Sequence, residues 1–89
     1  MVIRQEATIR NKMGMHVRPA TRVAEIARKF KSEVFLIKEG QKVDAKSCIE
    51  LLTLAAVMGT RLEVEAEGED AQDAASSVAR LINSGFEEL

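Results

Sequence analysis

Tryptophan and tyrosine are absent from this 89-residue chain, and cysteine, proline and histidine each occur once. The single thiol, Cys48, excludes an internal disulfide, so stability has to come from packing in a setting that keeps thiols reduced. All three aromatics are Phe, which leaves the core to Val, Ile, Leu and Ala. Nothing in residues 1–5 resembles a signal peptide. The longest apolar stretch, residues 51–58, is broken by Thr53 and falls far short of the roughly 20 residues that span a bilayer. Neither sign of charge is in excess. Thirteen basic and 14 acidic side chains give a net charge of −1, poor footing for an electrostatic grip on nucleic acid. The expectation is a soluble, cytoplasmic protein that neither enters membranes nor binds nucleic acid.

What is present is a globular composition, 46% apolar and 30% charged. A chain of this length has room for one core, so residues 1–89 are expected to form one domain. Basic residues gather early, at Arg10, Lys12, Arg18, Arg22, Arg28, Lys29 and Lys31, while acids dominate from Glu63 onward. That asymmetry fits two solvated faces of opposite sign, and it equally fits a positive docking surface for an acidic partner.

Two segments alternate between apolar and charged residues. Ile3, Ala7 and Ile9 oppose Arg4, Glu6 and Thr8; Leu62, Val64 and Ala66 oppose Arg61, Glu63, Glu65 and Glu67. A period of two with one charged face predicts half-exposed strands of an antiparallel sheet. Residues 34–37 form a third strand, and residues 39–41 turn it into a short fourth around residues 42–44. A helix is predicted from Val17 to about Phe30, with Ala20, Val23, Ala24, Ala27 and Phe30 as its apolar stripe. Another runs over residues 71–82, capped by Asp70 and stopped by Asn83 and Gly85. Between them, Ser47 and Glu50 have the spacing of a reciprocal capping box that opens a short helix ending before Gly59. The order β-α-β-β-α-β-α gives an α+β fold, a four-stranded antiparallel sheet with helices on one side and water on the other. Ferredoxin-like RNA-binding domains begin with the same element order, but these strands offer no pair of exposed aromatics for bases to stack on.

The most informative segment is residues 14–21. Pro19 is tolerated only in the first turn of a helix, which places the helix start just upstream and His16 at or beside the N-cap. Free first-turn amides and the helix dipole make that position an anion site. Arg18 adds a permanent charge and a donor fork suited to phosphate oxygens. An imidazole at that position can attack phosphorus in its neutral form. Spacing alone also accommodates an ordinary surface histidine. One His and one distant Cys make no metal-ligand set, and acid–base catalysis lacks a neighbouring carboxylate and a deep pocket.

The run Gly14-Met15-His16-Val17-Arg18-Pro19-Ala20 closely resembles the active-site signature of HPr, the histidine-containing phosphocarrier family of the bacterial phosphoenolpyruvate-dependent phosphotransferase system. The resemblance extends through Lys46-Ser47, Met58-Gly59-Thr60 and residues 67–71. It implies the HPr open-faced β-sandwich and a phosphoryl group carried on Nδ1 of His16. The phosphoryl group would come from enzyme I and pass to a IIA component in sugar uptake. Arg18 and the amides of Val17 and Arg18 would hold the phosphate. Ser47 matches a regulatory serine, the target of HPr kinase/phosphorylase in organisms that have that enzyme, although the capping box also accounts for it. Thr21, Arg22, Ile49 and Leu52 match a partner-docking surface. The resemblance implies no metal or cofactor, and a monomer is expected. Two alternatives stay open: a relative serving a regulatory or nitrogen-type phosphotransfer chain, and an HPr-like binding module that is never phosphorylated.

Overall fold

The alternating segments pair with each other across most of the chain's length. In the computed structural model, which describes residues 1–87, β1 (Val2–Thr8) runs antiparallel to β4 (Arg61–Glu67), with Ile3 opposite Ala66 and Gln5 opposite Val64. β4 pairs on its other edge with β2 (Glu33–Lys38), and β2 pairs with β3 (Gln41–Asp44). The sheet is antiparallel throughout, in the order β1-β4-β2-β3. Glu39 and Gly40 join β2 to β3 with φ values of 48° and 85°, the double positive φ of a tight hairpin turn.

Helices α1 (Val17–Ala27), α2 (Cys48–Leu52) and α3 (Ala71–Asn83) complete the fold, followed by a 3₁₀ turn at Gly85–Glu87. α3 packs on β1 and β4, and α1 packs on both α2 and α3. Alanine makes this close layering possible. Ala20, Ala24 and Ala27 of α1 and Ala71, Ala74, Ala75 and Ala79 of α3 are all buried, so the helices lie close to Val34, Leu36, Leu62 and Val64 of the sheet. Phe86 is fully buried in this core, against which Phe30 packs half-buried.

Several local expectations need correction. α1 ends at Ala27, and Phe30 follows in a turn whose N–H reaches the Ala27 carbonyl at 3.2 Å. Asp70 is the N-cap residue of α3, yet its side chain does not cap that helix. Its carboxylate instead accepts the N–H of Lys31 at 2.9 Å, the N–H of Ser32 at 2.8 Å and the Ser32 hydroxyl. Half of the capping box at α2 forms. Ser47 Oγ accepts the Glu50 N–H at 3.2 Å, while Glu50 Oε1 accepts the Asp44 N–H at 3.0 Å rather than that of Ser47. The outer face of the sheet is not uniformly wet either. The Glu65 side chain there is only 8% exposed, held by Arg4 Nε at 3.0 Å and by Lys42 Nζ at 2.8 Å. Lys42 Nζ also lies 4.3 Å from the centre of the Phe35 ring.

Candidate phosphoryl-acceptor site

His16 lies where a tight loop feeds into α1. The Gly14 N–H reaches the Asn11 carbonyl at 3.2 Å, and Asn11 Nδ2 donates back to the Gly14 carbonyl at 2.8 Å. That same carbonyl accepts the His16 N–H at 3.0 Å. Gly14 has φ +70°, and a Cβ built on it would lie 2.4 Å from the Ala56 carbonyl oxygen, so only glycine fits. The close approach serves a purpose: Met15 donates its N–H to that oxygen at 2.8 Å. Ile9 and Thr60 extend the contact, with Ile9 N–H on the Thr60 carbonyl at 2.9 Å and Gly59 N–H on the Ile9 carbonyl at 2.8 Å. The histidine loop is thus fastened to the 53–60 loop by backbone bonds on both sides.

His16 is the N-cap of α1, with extended φ/ψ of −102° and −170°, and its ring does not cap the helix. Its carbonyl accepts the Ala20 N–H at 3.0 Å, the first helical bond. Pro19 has no N–H, so Val17 and Arg18 carry the two amides that helix geometry leaves without an intrahelical acceptor. The first turn holds no acidic residue, so no carboxylate competes there with an incoming anion. Arg18 is exposed, and His16 is half-exposed with its Nε2 buried. Two amides, a guanidinium and an imidazole at one helix mouth can bind a phosphate and exchange it with the ring.

Hydrogen bonds place α2 beside α1. Arg28 Nε donates to the Lys46 carbonyl at 2.9 Å, and Lys46 Nζ donates to the Phe30 carbonyl at 2.9 Å. The Thr21 hydroxyl lies 3.6 Å from Cys48 Sγ. The chain therefore passes back along α1 from its C-terminal end toward the histidine loop. On this side Val17, Ile49 and Val57 are exposed, Ile49 at 78%, while Leu52 is half-buried and Thr21 is exposed. Ser47 is half-exposed at the start of α2.

The structure gives Arg22 contacts that no local pattern predicts. Its guanidinium is committed to the turn that follows α3, donating to the Phe86 carbonyl at 2.7 Å and pairing with Glu87. Leu54 and Ala56 are buried and Ala55 is exposed, the reverse of a helical continuation that would turn Ala55 inward. Asn11 and Thr60 organise the loops around His16; the sequence pointed to Thr60 only within the Met58-Gly59-Thr60 run, and not to Asn11. The Asn11-to-Gly14 spacing was the available turn signal. Thr60 gave no comparable local signal, because its hydroxyl acts across the loop on the Val57 N–H, at 3.1 Å.

Comparison with known proteins agrees with this geometry. The family model described as "PTS HPr component phosphorylation site" matches residues 3–84. Over 89 residues the chain is 43% identical to the phosphocarrier protein NPr of Escherichia coli, covering 99% of each. It is 38% identical over 87 residues to the phosphocarrier protein HPr of Neisseria meningitidis, covering 98% of each. The crystal structure of HPr from Thermoanaerobacter tengcongensis superposes with a TM-score of 0.92 at 34% identity, covering 98% of both chains. Helix mouth, sheet order and sequence therefore converge, and the chain belongs to the HPr family of phosphocarrier proteins.

Proposed function

We propose that this protein carries a phosphoryl group on Nδ1 of His16, taking it from phosphorylated enzyme I and passing it to a IIA component. The observation that carries the reading is the placement of His16 as the N-cap of α1, directly before the Val17 and Arg18 amides of the first turn. Burial of Nε2 supports Nδ1 as the reacting nitrogen. As Nδ1 attacks, a nitrogen–phosphorus bond forms and the bond from phosphorus to the donor breaks. The amides and Arg18 stabilise the charge on the phosphoryl oxygens during the exchange. The same arrangement serves the return step to the acceptor, so His16 acts as a relay between two proteins within the cytoplasm.

Thr21, Ile49 and Leu52 supply the contacts for these partners, and the exposed apolar side chains suit a small interface that releases quickly. Arg22 contributes by holding the C-terminal turn. For the downstream branch, sugar uptake follows from the sequence resemblance. The 43% identity to NPr, against 38% to HPr, supports a regulatory or nitrogen-type chain as the second reading. Ser47 provides a second acceptor for a kinase of the HPr kinase/phosphorylase type.

Incubation with enzyme I and labelled phosphoenolpyruvate tests the relay. The protein should become labelled, His16→Ala should abolish labelling, and the product should be acid-labile and base-stable, as a phosphoramidate is. Label that survives His16→Ala would overturn the assignment, and an acid-stable product would point to Ser47.

A further inference from the structure

We propose that Met13 and Met58 are a paired oxidation site at the rim of the His16 face, where hydroperoxides convert their thioethers to sulfoxides and thereby weaken partner docking. The inference rests on the phosphocarrier reading above and adds a regulation to it. Both side chains are well exposed, Met13 at 72% and Met58 at 55%. Neither exposure follows from a loose terminus. Met13 sits in the turn closed by the Gly14 N–H on the Asn11 carbonyl, and Met58 lies between Val57 and Gly59, whose N–H groups are bonded to Thr60 Oγ1 and the Ile9 carbonyl. The two turns belong to the loops that the Met15–Ala56 bond fastens together, so both methionines are carried by the backbone that positions His16.

Met15 is an internal contrast. It stands two residues from Met13 and is 5% exposed, within the core. Met1 is also exposed but lies at the other end of β1, where its carbonyl accepts the Gly68 N–H. The fold thus exposes two thioethers on the loops that position the reacting histidine and buries the third of that region. In the reaction, a sulfur lone pair attacks one peroxide oxygen, a sulfur–oxygen bond forms and the oxygen–oxygen bond breaks. Sulfur loses two electrons, the peroxide is reduced, and water or an alcohol leaves. A flexible apolar group becomes a polar one, which opposes burial against a partner. A thiol-dependent methionine sulfoxide reductase reverses the change.

The test treats the full chain with hydrogen peroxide, maps each oxidised residue by peptide mass, and measures enzyme I-dependent phosphorylation of His16 against protein concentration. Met13 and Met58 should oxidise well ahead of Met15. The apparent KM toward enzyme I should rise roughly tenfold with kcat held, the scale of losing two small apolar contacts. Sulfoxide reductase should restore it. Met13→Leu/Met58→Leu, judged against its own untreated form, should show no such rise. Complete oxidation with an unchanged KM, oxidation of Met15 as fast as Met13, or an equal rise in the double variant (which would place the effect at Met1, Met15 or Cys48) would each overturn the proposal. Failure of the untreated protein to accept a phosphoryl group would instead remove the phosphocarrier reading, and this proposal with it.

Discussion

Ala55 shows how a single residue can hold an unfavourable backbone conformation in an otherwise well-packed loop. Its φ is +49°, a left-handed conformation in which Cβ crowds the following carbonyl at a cost of about 1–2 kcal/mol. Because Ala55 is exposed, its methyl group makes no core packing that would compensate. Ala55→Gly should therefore raise stability, by roughly 0.5–1 kcal/mol once the added freedom of glycine in the unfolded chain is subtracted. A shift of the urea midpoint to higher concentration with an unchanged slope would show it, and a shift to lower concentration would sink the idea. Helical spacing carried on past Leu52 would turn Ala55 toward the core, but the spacing continues where the backbone does not. The helix stops at Leu52, and two turn residues later the register is lost. His16 was readable for the converse reason. Pro19 constrains its own φ and lacks an N–H, so it marks a helix start whatever the tertiary surroundings. The contacts of Arg22 could not be read from the sequence, because its partners Phe86 and Glu87 stand more than 60 positions along the chain, beyond any local pattern.

Among the elements, α2 depends most on its cap. Its five residues are too few for an isolated helix to hold, so the Ser47 Oγ bond to the Glu50 N–H and the burial of Leu51 carry much of it. Ser47→Ala should cost about 1 kcal/mol, the usual loss for a serine cap, and thermal unfolding of the variant would measure it. Glu50→Gln should cost less, because an amide oxygen can still accept the Asp44 N–H that Glu50 now takes. Equal losses in the two variants would show that the charge of Glu50 in the first turn of α2, and not only its accepting oxygen, holds the helix. The spacing Ser47-x-x-Glu50 correctly announced a helix start. It left open which backbone donor Glu50 would choose, since the competing Asp44 N–H is presented by the end of β3 and becomes available only once the hairpin has formed.

At the scale of the whole molecule, the ends of elements are tied by carboxylates that bridge long stretches of chain. Glu65 on β4 draws Arg4 of β1 and Lys42 of β3 together over the outer sheet face. The Lys42 hydrogen bond lowers its pKa, burial acts in the opposite direction, and Arg4 adds to the lowering. Asp70 ties the segment after α1 to the start of α3. The Ser32 hydroxyl and then the Lys31 backbone N–H hold its carboxyl at about 2, against an ordinary value of 3.8. A carboxylate whose folded value lies below its unfolded one stabilises the fold fully above the unfolded value and loses that contribution as pH falls through the folded one. For Asp70 the window therefore runs from 3.8 down to about 2. Asp70→Asn removes the charge but leaves a side chain of similar size. The difference in melting temperature between the unaltered protein and Asp70→Asn should accordingly be largest near neutral pH, shrink below 3.8 and close by about 2. Glu65 titrates in both proteins and cancels from that difference. A gap that stays constant over the whole acid range would mean that Asp70 acts through shape alone, and that its charge contributes nothing to joining these two parts of the molecule.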